Sequence, residues 1–174
     1  LIDGKPEEGK FVEHIEIRGI TFEYADFDLE KRRGQADAQA EVSVPATLQA
    51  KGARHCLIEK CTIQHINNYG IWLRIGSQFN VIRQCHLYDL GAGGVKIGET
   101  NNAETSESST TRSPDSNQLY LYEKLSPLHV GQNVVENCYI HEGGLFLRAG
   151  IGVWIGRSSY NRVSHNEISD FRYT

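Results

Sequence analysis

Acids recur at one position of a repeated pattern. The segments HIEIRGITFEY (from His14), HCLIEKCTIQH (from His55), FNVIRQCHLYD (from Phe79), QNVVENCYIHE (from Gln132) and YNRVSHNEISD (from Tyr160) align, and their closing residues read Tyr24, His65, Asp89, Glu142, Asp170. A corner after a short strand favours Asn, Gly or Asp. Here three successive repeats supply carboxylates. If the repeats stack as strands about 4.8 Å apart, Asp89 and Glu142 stand roughly 5 Å apart and Asp89 and Asp170 roughly 10 Å. Repulsion at that range raises the pKa of at least one acid. One carboxyl then serves as a general acid while another stays ionised. Carboxyl pairs about 5–5.5 Å apart suit retaining cleavage of a glycosidic bond, and pairs about 6.5–9.5 Å apart suit inverting cleavage. Asp89, Glu142 and Asp170 are therefore the candidate catalytic residues. The competing reading is a stack of turn-capping acids, against which the accumulated charge weighs.

Other polar and aromatic columns flank the acids. In a third short strand the outward position reads Gln49, Trp72, Lys96, Trp154. Two Trp flanking a Lys suit a platform for sugar rings, with Lys96 meeting a hydroxyl, a carboxylate or a leaving group. The alternative is that an insertion packs over one or both Trp. A second outward column reads Gln64, Tyr88, His141, Ser169, and Arg148 lies in an extra segment, LFLRA. The candidate substrate-binding set is His65, Trp72, Tyr88, Lys96, His141, Arg148 and Trp154. The glycines of DLGAGG and HEGG are expected to keep the backbone low, so that a sugar can approach.

The elements that must position these residues follow from the repeats. Each copy is a short strand pattern, a polar break and a second strand pattern. Third strands follow as GIWLRIG (70–76), GVKIG (94–98) and GVWIG (152–156), with PATLQAKG (45–52) in the same slot of the first copy. Three strands per two dozen or so residues predict an all-β fold, one turn of a right-handed parallel β-helix per repeat. Ile63, Leu87, Ile140 and Ile168 form one inward column; Ile71, Val95 and Val153 form another, and Leu73, Ile97 and Ile155 a third. Cys61, Cys85, Cys138 and Asn166 read as a buried ladder of small residues, the cysteines as free thiols. Insertions at about 25–44 and 99–131 interrupt the rungs. Both are expected to leave near the acid column and wall it. The second is rich in Ser, Thr and Asn, with LYLYEKL as an expected ordered piece. The last repeat stops partway, which predicts a single partial domain over 1–174, a fragment of a longer helix. The remaining rungs are then an expected partner, and an open end invites self-association.

Composition narrows the partners. The chain has 174 residues, a net charge of −4 and no Lys/Arg run longer than the three residues 31–33, which argues against nucleic acid. No apolar run approaches the roughly 20 residues of a membrane span. The four Cys lack zinc-site spacing, and no cofactor is expected.

The run AQAEVSVPATLQAKGARHCLIEKCTIQHINNYGIWLRIG, followed by DLGAGGVKIGE and GIGVWIG, resembles bacterial right-handed parallel β-helix proteins of the pectate-lyase-like superfamily. Within these it looks most like the carbohydrate-active proteins of glycoside hydrolase family 141, which include α-L-fucosidases and xylanases. The resemblance implies export to the periplasm or the cell exterior, breakdown of a poly- or oligosaccharide, and acidic catalytic residues where Asp89 and Glu142 stand. The long Ser/Thr-rich insertion is unusual for that group. Two other readings stay open. In a polysaccharide lyase, Asp89, Glu142 and Asp170 would hold Ca²⁺ while Lys96 or Arg148 acts as base; the lack of a basic cluster weighs against it. In a non-catalytic carbohydrate-binding solenoid, Trp72 and Trp154 would form the platform.

Overall fold

The computed structural model describes residues 1–28, 37, 39–99 and 126–173. The LYLYEKL stretch, most of the second insertion and residues 29–36 and 38 of the first lie outside them. Within the described residues three parallel five-stranded sheets run along one axis. The first holds Glu16–Arg18, Leu57–Glu59, Val81–Arg83, Val134–Glu136 and Arg162–Ser164. The second holds Thr21–Glu23, Thr62–Gln64, His86–Leu87, Tyr139–Ile140 and Glu167–Ile168. The third holds Ala46–Lys51, Tyr69–Leu73, Val95–Gly98 and Val153–Gly156, and its outermost strand is Ile2–Asp3. Ile2 and Asp3 pair with Ala50 and Lys51, so the chain's opening residues start the third sheet, a role the sequence reading did not assign. The fold is a parallel β-helix.

The register matches the inward columns read from the repeats. Leu87 pairs with Ile63 and Ile140, Ile140 with Ile168, Val95 with Ile71 and Val153, and Ile97 with Leu73 and Ile155. Ile63, Ile71, Ile82, Leu87, Val95, Ile97 and Ile140 are completely buried. Branched side chains pile up because successive rungs present the same inward position, and each buried one stabilises by about 1.5–3 kcal/mol.

Each corner is a single left-handed residue. His14, His55, Phe79, Gln132 and Tyr160 lead into the first strands with φ of 53–58°. Lys60, Gln84, Asn137 and His165 separate the first strands from the second with φ of 53–56°. That conformation is costly for residues other than glycine. It is offset because the ladder continues round the bend: Lys60 N–H donates to the Arg83 carbonyl at 3.1 Å, and Gln84 N–H to that of Glu136 at 3.1 Å. The expected bias toward Asn, Gly and Asp therefore yields to Lys, Gln and Phe.

Two side-chain ladders run inside the corners. The Cys61, Cys85 and Cys138 thiols are free and buried, and Asn166 ends that column by accepting the Cys138 N–H at 2.9 Å. At another corner Asn80, Asn133 and Asn161 form a second ladder. Asn133 Oδ1 accepts the Asn80 N–H at 3.1 Å, its Nδ2 donates to the Ser77 carbonyl at 3.1 Å, and its backbone N–H donates to Asn161 Oδ1 at 3.0 Å.

The glycine run does not open the surface, contrary to expectation. Gly91, Gly93 and Gly94 are buried. A methyl group on Gly91 would collide with the Asn67 backbone, on Gly93 with the Ile151 carbonyl and the Tyr69 ring, and on Gly94 with the Gly152 carbonyl and Ile140. These glycines let neighbouring rungs touch. Gly143 of HEGG is likewise closed off by the Phe171 ring.

The insertions also depart from expectation in part. The first does leave at the acid column: Asn67 N–H donates to the Ala25 carbonyl at 3.3 Å. The second departs after Gly98, at the far end of the third strand, and the chain returns where Gly76 N–H donates to the Leu128 carbonyl at 3.0 Å. Its roots are thus at a different corner from the acids.

Candidate functional site

The acid column exists and occupies the corner that follows the second sheet. Tyr24, His65, Asp89, Glu142 and Asp170 have φ of 58°, 51°, 52°, 51° and 55°. The backbone links them in order: Tyr24 N–H donates to the His65 carbonyl at 3.1 Å, Ile66 N–H to that of Asp89 at 3.2 Å, Leu90 N–H to that of Glu142 at 2.9 Å, and Gly143 N–H to that of Asp170 at 3.3 Å. Asp89 and Glu142 therefore sit on adjacent rungs, about 4.8 Å of axial rise apart. A left-handed corner is common to the whole solenoid. What distinguishes this one is its chemistry.

Each of the paired acids meets an imidazole. His65 Nδ1 hydrogen-bonds Asp89 Oδ2, and the Tyr24 ring stacks on His65 with centroids 5.7 Å apart. Glu142 Oε1 stands 3.6 Å from His141 Nδ1, an ion-pair contact longer than a hydrogen bond. The side chains of Asp89 and Glu142 are 39% and 54% exposed, so both reach solvent. Asp170 is engaged by its neighbour, the Ser169 hydroxyl donating to Oδ2 at 3.1 Å.

Beside the acids the outer face of the second sheet carries a ring cluster. Tyr88 stacks on His86 at 4.4 Å and on His141 at 5.4 Å, and Tyr139 stacks on His141 at 4.0 Å. The Tyr88 hydroxyl hydrogen-bonds Gln64. Tyr88, His141 and His65 thus lie beside the acids. His86 and Tyr139 were missed. The signal was present: His86–Leu87–Tyr88 and Tyr139–Ile140–His141 alternate out, in, out, so each outward residue at i+2 implied another at i.

The Trp/Lys platform is corrected. Trp72 and Lys96 face away from the barrel interior, but they are 8% and 0% exposed and cannot contact a polysaccharide. Residues of the first insertion cover them. Val44, Ala46, Tyr69, Trp72 and Ala92 form a second apolar cluster, with Phe27 and Leu147 packed on it. Lys96 Nζ donates to the Val42 and Val44 carbonyls, and Trp72 Nε1 donates to the Gly98 carbonyl at 2.7 Å. Burial pushes the Lys96 amine down to about 7. Only Trp154 of the platform keeps partial exposure, and it lies on the third sheet, round the corner from the ring cluster. Arg148 is exposed on the 144–150 loop. That loop docks beside Asp89, its Leu145 and Phe146 N–H groups donating to the Leu90 and Gly91 carbonyls at 3.2 and 3.0 Å.

Among the described residues no group of three or more His, Cys, Asp or Glu is placed to hold a metal ion. Nor does any described helix have the length and apolarity to cross a membrane.

A family model described as right handed beta helix region matches residues 12–135. Neither the curated proteins nor the solved structures gave a match.

Proposed function

Because the chain belongs to the right-handed β-helix family, we propose that it is a carbohydrate-active enzyme that hydrolyses glycosidic bonds of a poly- or oligosaccharide with Asp89 and Glu142. The observation that carries the reading is their placement: consecutive positions on one corner column, each against its own imidazole. Separation by one rung falls near the spacing of retaining glycosidases. Asp89, anchored by His65, attacks the anomeric carbon. Glu142, the more exposed acid, gives its proton to the departing glycosidic oxygen. Glu142 then takes a proton from water, which attacks the anomeric carbon and frees Asp89. Asp170 extends the acidic column by one rung. Tyr88 and Tyr139 supply flat faces and polar edges for sugar rings, with the buried His141 packed between them, while Arg148 and Trp154 stand at the margins. The finer placement beside glycoside hydrolase family 141 rests on sequence resemblance alone, and export to the periplasm or cell exterior accompanies it.

The test is a panel of plant and algal polysaccharides incubated with and without EDTA, scored for new reducing ends and for absorbance of unsaturated uronate. New reducing ends without unsaturated product, unaffected by EDTA, support hydrolysis. Unsaturated product that disappears with EDTA would instead make the acids ligands of a lyase's Ca²⁺. Binding without any product would leave a carbohydrate-binding solenoid.

A further inference from the structure

Behind Glu142 stand two histidines in line. His141 presents Nδ1 to Glu142 Oε1 at 3.6 Å and Nε2 to His86 Nε2 at 2.8 Å. Two imidazole nitrogens at that distance must hold one proton between them, because two N–H groups or two bare lone pairs facing each other repel. We propose that Glu142, His141 and His86 form a proton relay, in which His86 is the solvent end that recharges and discharges Glu142. The relay deepens the hydrolase reading, since it serves the acid/base role given there to Glu142.

The tautomers couple the two rings, and a small rotation of the exposed Glu142 side chain that closes its 3.6 Å contact to hydrogen-bond length brings Glu142 into the chain. When His86 donates from Nε2, neutral His141 accepts at Nε2 and carries its proton on Nδ1, facing an ionised Glu142. When His141 donates from Nε2, its Nδ1 is bare and faces a protonated Glu142. Passage between the two states moves the Glu142 proton to His141 Nδ1 and the His141 Nε2 proton to His86 Nε2. His86, which began with its proton on Nδ1, becomes an imidazolium and releases that Nδ1 proton to water. No proton is lost or created, and no bond other than N–H and O–H changes.

The surroundings suit this traffic. His141 is 9% exposed, whereas His86 is half-buried and reaches water. Burial, and secondarily the nearby His141, hold the His86 imidazole below its usual range, so its cation hands a proton on readily. Stacking fixes the rings: Tyr139 lies 5.2 Å from His86 and 4.0 Å from His141. The titratable groups facing the pair are Tyr88 on His86's own rung, Tyr139 and Glu142 on the next, and His65 on the preceding rung at the edge of Tyr88. Glu167 follows in register with Tyr139.

Nitrogen-15 NMR of the imidazoles, recorded through a pH titration of the wild type and of Glu142→Gln, tests the relay without any substrate. The expected result is a shared downfield Nε2 proton, complementary tautomers of His86 and His141, and a change of the His141 tautomer in Glu142→Gln. Independent titration of the two rings, with tautomers unmoved by Glu142→Gln, would overturn it. Where turnover is measurable, His86→Phe is expected to lower kcat about tenfold at unchanged KM and to move the Glu142 limb of the pH profile; an unmoved limb would also overturn the relay. A coupled pair in a protein without turnover would sink the hydrolase reading and leave the proton-sharing triad standing.

Discussion

Lys96 Nζ lies 3.4 Å from the centroid of the Trp72 ring, which is carried by the adjacent rung. The amine, the indole and the covering residues 39–44 make one buried unit on the outer face of the third sheet. A cation there is stabilised by the ring face and by two carbonyls, at the cost of complete burial.

That cost predicts a pH dependence. Burial lowers the Lys96 amine from 10.5 to about 7. The unfolded chain therefore binds the extra proton between about pH 7 and 10.5, and the Lys96 contribution to stability rises with pH across that window, on the order of 3–5 kcal/mol. Cys61, Cys85 and Tyr69 act oppositely at the alkaline end, because burial raises Cys61 and Tyr69, and the hydrogen bond that Cys85 donates to Cys138 together with burial raises Cys85. Comparing the wild type with Lys96→Met cancels those groups. Denaturant midpoints from pH 7 to 9.5 should rise for the wild type relative to the variant; parallel curves would contradict the burial account.

Asn133→Ala should be among the most damaging polar substitutions. It strips the acceptor from the buried Asn80 N–H and removes one of two partners from both the Asn80 carboxamide N–H group and the Ser77 carbonyl. Buried groups left unpaired cost about 1–3 kcal/mol each. Urea unfolding should show a loss of at least about 2 kcal/mol, and a neutral result would mean the ladder is not formed.

Gly94→Ala separates packing from substrate approach. The added methyl group meets the Gly152 carbonyl and Ile140, and overpacking of this kind costs about 1–3 kcal/mol. The expected outcome is a lowered unfolding midpoint with KM for any cleaved glycan unchanged. A raised KM at full stability would restore the sugar-approach role.

The last rung leaves inward residues uncovered. Ile155, Val163 and Ile168 continue the core columns yet are 45%, 40% and 44% exposed. Light scattering of the 174-residue chain should detect self-association, reduced by Val163→Lys with Ile168→Lys. A monodisperse wild type would contradict this.

The fold was legible because a solenoid repeats its physics. Every rung places the same apolar position inward, so aligning Ile58 with Ile82 or Ile71 with Val95 was already a statement about contact. The acid column was legible for the same reason. Coverage was not. Trp72 and Lys96 occupy outward positions of the repeat, and nothing in their spacing says that residues 39–44, which belong to no repeat, fold back over them. The glycines of DLGAGG misled similarly: a glycine that admits a neighbouring backbone and one that admits a ligand read alike until the neighbour is known. His86 escaped because its column, Thr21, Thr62, His86, Tyr139, Glu167, mixes residue types and hides its common face.

The most direct measurement of the central claim is turnover and binding by Asp89→Asn and Glu142→Gln on a glycan that the wild-type protein cleaves. The account predicts that each variant loses at least about a hundredfold in kcat while its Kd for the glycan stays within a few-fold of wild type. Wild-type kcat in both variants would reduce the acid column to a stack of left-handed corners and place the chemistry elsewhere.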